Sequence, residues 1–171
     1  MKKSVFTLLL LTIFSATTYA QKFALIDMEY ILESIPAYES ANQQLEQASK
    51  QWQAEIEKAG QEVKSLYENY QKTAENLNET QRTQKENEIV EKEKALAELR
   101  RNYFGPEGEL YKKREALIRP IQDQIYNAVK EIATQQGYTV VTDRASASSI
   151  IFASPEIDIS NEVLARLGYS N

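Results

Sequence analysis

Ten apolar residues, Leu45, Ala48, Trp52, Ile56, Ala59, Val63, Leu66, Tyr70, Ala74 and Leu77, follow one another at gaps of three or four in an otherwise Gln, Glu, Lys and Asn-rich stretch. That spacing holds one narrow stripe of a long helix against a single partner helix, as in a two-stranded coiled coil. A second run, Ile89, Leu96, Leu99 and Tyr103, continues as Leu117, Ile121, Ile125, Ala128 and Ile132. The simplest partner for the first helix is this second one, folded back on it. The chain is therefore expected to build a long antiparallel helical hairpin over residues 36–136.

Local signals mark its corners. Met28, Ile31, Leu32 and Ile35 share one helical face, and Pro36, whose fixed φ suits a first turn, starts the long helix. That helix should run to about Leu77, roughly 60 Å at about 1.5 Å per residue. Gly60 is its weak point, costing about 1 kcal/mol relative to Ala. The tip falls near residues 76–83, where Asn78 with Gln81, or Thr83 with Glu86, forms a capping box. The return leg is longer than the outgoing one, and Gly105-Pro106-Glu107-Gly108 is expected to break it. The helix resumes through Pro120, which should kink it lightly, and stops at Gly137.

Both flanks have strand character. Phe23 to Ile26 is a short apolar run, Tyr138 to Thr142 has strand composition, and Ile150-Ile151-Phe152 reads as a further strand. Asp158 is expected to cap a last short helix whose apolar face is Val163, Leu164 and Leu167. Strands from both ends of the chain must meet to be buried, and a hairpin brings them together. The fold class is α+β: a coiled-coil hairpin arm on a small β-containing head, residues 21–35 with 137–171.

The first twenty residues read as a secretory signal peptide: Lys2 and Lys3, an apolar run from Val5 to Phe14, and small Thr18 and Ala20 before a cleavage after Ala20. Without Cys, neither a lipid anchor nor a disulfide follows. Removing Lys2 and Lys3 with the leader leaves 18 basic residues against 25 acidic ones, a net charge near −7. An acidic chain of this kind is a poor nucleic-acid binder.

Chemistry is equally constrained. The absence of His and Cys removes the commonest general base, the nucleophilic triads and most transition-metal sites. Asp27 and Asp143 lie at strand ends and can approach each other, although turn and capping roles are commoner for Asp. No enzyme activity and no cofactor are expected.

Phe-Ala-Leu-Ile-Asp-Met with Tyr-Ile-Leu (23–32), Gln-Gly-Tyr-Thr-Val-Val (136–141) and Asp-Ile-Ser-Asn-Glu-Val-Leu-Ala-Arg-Leu (158–167) flank the helical middle. In that order, behind a leader, they resemble the Skp/OmpH family of periplasmic chaperones across essentially the whole mature chain. The resemblance implies a homotrimer whose heads join and whose arms surround a cavity for unfolded outer-membrane proteins, held without ATP in the periplasm; transient contact with a membrane surface is compatible with it. It implies head and trimer contacts at Phe23, Leu25, Ile26, Val140, Val141, Ile150, Ile151 and Phe152. Well-studied relatives are basic and this chain is acidic. Because Arg82, Lys85 and Lys92 stand among Glu residues, no lipid-binding cluster carries over.

A holdase needs many non-directional contacts, and apolar contacts are of that kind. Tyr67, Tyr70, Tyr103, Phe104 and Tyr111 are the candidates for client contact, since aromatics offer broad area with a polar tip. The competing reading is that they pack between the arm helices, as Trp52 on the seam is expected to do. The rival function is a structural adaptor whose hairpin docks onto another envelope assembly. Such an adaptor should carry larger β-domains than these flanks can supply.

Overall fold

The computed structural model describes residues 22–147 and 149–169; the signal-peptide reading and the cleavage after Ala20 lie outside the described residues. The elements in order are β1 (Lys22–Ile26), α1 (Met28–Glu33), α2 (Pro36–Thr73), a 3-10 turn (Ala74–Asn76), α3 (Glu79–Phe104), α4 (Glu109–Gln136), β2 (Tyr138–Asp143), a second 3-10 turn (Pro155–Ile157) and α5 (Ser160–Leu167). They fall into two compact units, one within Met1–Ile31 and Tyr126–Asn171, the other Leu32–Ile125.

In the unit Leu32–Ile125, Pro36 opens α2 from an extended Ile35, the conformation that a following proline imposes. All ten seam residues from Leu45 to Leu77 are half-buried. Their partners descend α3 as they ascend α2. Trp52 meets Tyr103, the Cα of Gly60 faces Leu96, Glu62 pairs with Lys92 at 2.7 Å, and Tyr70 reaches Glu86. Helices α2 and α3 thus form an antiparallel hairpin.

Helix α2 ends at Thr73, four residues before the expected Leu77, and the last apolar seam positions ride on the 3-10 turn and the extended Leu77. Asn78 caps α3 as expected: its Oδ1 accepts from the Gln81 N–H at 2.9 Å, and its own N–H donates to Gln81 Oε1 at 3.2 Å. The alternative box at Thr83 goes unused, because Thr83 lies inside α3. Asn78→Ala should therefore destabilise the hairpin by about 1 kcal/mol, while Asn78→Asp leaves it nearly unchanged. Thermal unfolding followed at 222 nm reads the difference; an unaltered Tm in the Ala variant would show that the tip contributes nothing.

The break between α3 and α4 has a steric cause. A Cβ on Gly105 would lie 2.4 Å from the Arg101 carbonyl oxygen, and one on Gly108 2.8 Å from those of Asn102 and Tyr103. Two glycines let the chain turn tightly over the end of α3, held by Gly108 N–H to Gly105 O at 2.9 Å. Helix α4 then runs unbroken through Pro120. In its first half Ile118, Ile121 and Ile125 are buried, with Leu117 only half so.

In the other unit, α4 stops at Gly137, whose φ of 74° only glycine adopts cheaply, and the chain enters β2. Strands β1 and β2 pair in parallel, Phe23 with Val140, Ala24 with Val141, Leu25 with Thr142 and Ile26 with Asp143. The opposite edge of β1 is taken by residues 158–159: Leu25 bridges Asp158, and Ile159 N–H donates to Leu25 O at 2.9 Å. The core is Ala24, Leu25, Ile26, Ile31, Ala128, Ile132, Ile159, Val163 and Leu164. Arg166 ties α5 to α4 through Glu131 at 3.1 Å and Gln135 at 2.7 Å.

The strand expected at Ile150-Ile151-Phe152 does not form. Ile150 N–H closes a turn onto Ala147 O at 3.2 Å, both edges of β1 are already taken, and the segment does not pair with the remaining edge of β2. Helix α5 begins at Ser160 with Ile159 at the cap position; Asp158 serves its start from one residue further out, accepting from the Ser160 N–H at 2.9 Å and hydroxyl at 2.6 Å.

Candidate functional site

The aromatics of the hairpin divide into two kinds. Tyr103 stacks on Trp52 with centroids 5.1 Å apart and planes 13° apart, and its hydroxyl donates to Glu55 at 2.5 Å. Phe104 meets the edge of Trp52 at 6.4 Å. Tyr70 is half-buried and donates its hydroxyl to Glu86 across the hairpin. The hydrogen bond to carboxylate, reinforced by partial desolvation, holds both phenols above their ordinary pKa, so they stay neutral donors. Tyr67 and Tyr111 are about half exposed, and Phe104 is 39% exposed. Two of the five candidates thus latch the hairpin, Phe104 packs on Trp52 while staying partly exposed, and Tyr67 and Tyr111 present about half their surface outward.

The head residues divide as well. Leu25 and Ile26 are buried within the chain, and Val141 and Ile150 are half-buried. Phe23 at 51% and its strand neighbour Val140 at 46% stay exposed on one sheet face, while Ile151 at 101% and Phe152 at 85% stand clear of the chain. Large apolar side chains this exposed lose their hydration cost only against something else.

The aspartates are structural. Asp27 caps α1, accepting from Tyr30 N–H at 2.9 Å; Asp143 accepts from Met28 N–H and Ala145 N–H, both at 3.1 Å. Arg144 bridges Asp27 at 3.1 Å and Asp158 at 3.3 Å. Among the described residues no group of acids is placed to hold a metal. Burial works against ionisation of Asp143, but hydrogen bonds donated by the Met28 backbone, the Ser146 side chain and the backbone of Ala145 and Ser146 outweigh it and depress its pKa below the ordinary 3.8. A depressed folded pKa stabilises above the unfolded value and is lost as pH falls through the folded one. Asp143→Asn should cost about 1 kcal/mol at pH 7, a gap that narrows below about pH 4. Urea unfolding across that range measures it, and a pH-independent gap would refute the assignment.

The architecture, a parallel strand pair with a long antiparallel helix pair, can now be set beside known proteins. The family model for outer membrane proteins of the OmpH-like kind matches residues 22–167. The chain belongs to that OmpH-like family. A solved structure, that of an OmpH-like outer membrane chaperone from Caulobacter crescentus CB15, superposes with a TM-score of 0.67 at 13% identity, covering 88% of this chain and 86% of that one. No curated protein matches the chain.

In this OmpH-like chain several participants escape sequence reading. Glu55, Glu62 and Glu86 look like a solvated face, yet each holds a partner on the opposite helix. The available signal is their position beside the seam, where coiled coils place interhelical pairs. Arg144 carries no comparable signal, since its two aspartates lie 117 positions before it and 14 after it.

Proposed function

We propose that the chain is an ATP-independent holdase of the periplasm that binds unfolded outer-membrane proteins and keeps them from aggregating. The observation that carries the reading is the hairpin. Its α2 seam is only half-buried, so apolar area remains available along the hairpin, which suits a ligand without fixed structure. The kinship with a protein whose solved structure is described as an outer membrane chaperone supports it. In this reading three copies join through Phe23, Val140, Ile151 and Phe152, and their arms surround the client. No helix among the described residues is long and apolar enough to cross a membrane.

The test is dilution of a urea-unfolded outer-membrane β-barrel into buffer, with light scattering recorded. Scattering should be suppressed at about one assembled particle per client. Undiminished aggregation at excess particle would remove the holdase reading and favour an adaptor whose hairpin docks onto another envelope assembly.

A further inference from the structure

Beside the Trp52 cluster the hairpin carries a groove of about 700 Å³, floored by Ile56, Gly60 and Phe104 and rimmed by Glu57, Lys64 and Arg100. Its centre is a glycine that the helix does not need. Gly60 lies in the middle of α2, where only proline is a poorer helix former, and a Cβ there would meet nothing closer than Leu96 Cδ2 at 3.9 Å. Packing therefore allows Ala, and Gly60 presents bare backbone as part of the groove's lining. Around the rim, Lys64 reaches Glu68 only at 3.8 Å, and Glu57 accepts from Gln61 at 3.4 Å. Arg100 makes no hydrogen bond or ion pair among the described residues. The rim is net positive by one charge in a chain whose net charge is −5.

We propose that the Gly60 groove is a side-chain pocket that takes a Phe-sized apolar group of an extended polypeptide whose neighbouring carboxylate pairs with Arg100. The choice of polypeptide as ligand rests on the chaperone reading; the groove and its charge do not. Floor and rim divide the recognition: Ile56 and Phe104 cover the ring, and the unpaired guanidinium selects the charge beside it. Against an acidic chain, client segments of this composition would otherwise be repelled.

The probe is an acetylated, amidated, fluorescein-labelled octapeptide containing Glu-Phe, followed by anisotropy with the full-length protein at low salt, with Gln-Phe and Lys-Phe versions alongside. Wild type should bind the Glu-Phe peptide roughly two- to fivefold more tightly than the Gln-Phe one, the range of an exposed ion pair. Arg100→Gln should abolish that preference, and Gly60→Leu should weaken all three peptides by about tenfold or more while raising the Tm. Gly60→Ala serves as a milder filling of the same space. Trp52 emission should shift on binding, because Phe104 touches its ring. Gly60→Leu binding within twofold of wild type, or a Lys-Phe peptide preferred by wild type, overturns the proposal. Peptide binding in a protein that fails to suppress barrel aggregation would uphold the groove and remove the chaperone reading instead.

Discussion

If the proposed three-copy assembly forms through Ile151 and Phe152, the double substitution Ile151→Asp with Phe152→Asp is expected to lower the particle mass in solution from three chains to one, with helical circular dichroism unchanged. Both side chains stand almost wholly outside their own chain, so removing them costs the isolated fold nothing. At an interface each would contribute roughly 1.5–3 kcal/mol of burial, and a carboxylate in its place adds an unpaired charge. Three copies of two such changes exceed what an assembly can absorb. Multi-angle light scattering gives the mass directly. A mass still equal to three chains would place the contacts elsewhere, with the Phe23 and Val140 face next to be tested. Ile26, one of the contacts the family resemblance implies, is an unsuitable interface probe: it is 6% exposed within its own chain, and Ile26→Asp would unfold the strand pair whatever the oligomer.

The second large effect lies in the core around α5. Ile132 is fully buried, in a unit whose core includes Ile31 and Val163, both also at zero exposure. Ile132→Ala should cost about 2–5 kcal/mol, the transfer of the lost methyl groups plus the cavity they leave. Few large apolar residues support this unit, so the loss is a large fraction of an ordinary domain stability of about 5–15 kcal/mol. Tyr126→Ala is the control: it lies on the same helix at 64% exposure and should change stability by under about 0.5 kcal/mol. Urea unfolding separates the two. Equal midpoints would mean that the packing around Ile132 is not what holds the strand pair to α4 and α5.

Local chemistry was legible from the chain alone. Pro36 starting a helix, the Asn78 and Gln81 box, the turn at 105–108 and the stop at Gly137 each depend on residues within a few positions of one another. The seam was equally plain, because a gap of three or four residues is a statement about one face of one helix. Choice among distant partners was decided only in three dimensions. Ile150-Ile151-Phe152 has the composition of a strand, but β2 and residues 158–159 occupy the two edges of β1, and the segment turns away without pairing with the outer edge of β2. Tyr70 and Tyr103 look like Tyr67 and Tyr111 in the sequence, yet only the first pair finds a glutamate across the hairpin. Backbone propensity acts over a turn or two, whereas hydrogen-bond partners and burial are set by which surfaces the folded chain brings face to face, and periodicity carries no record of that.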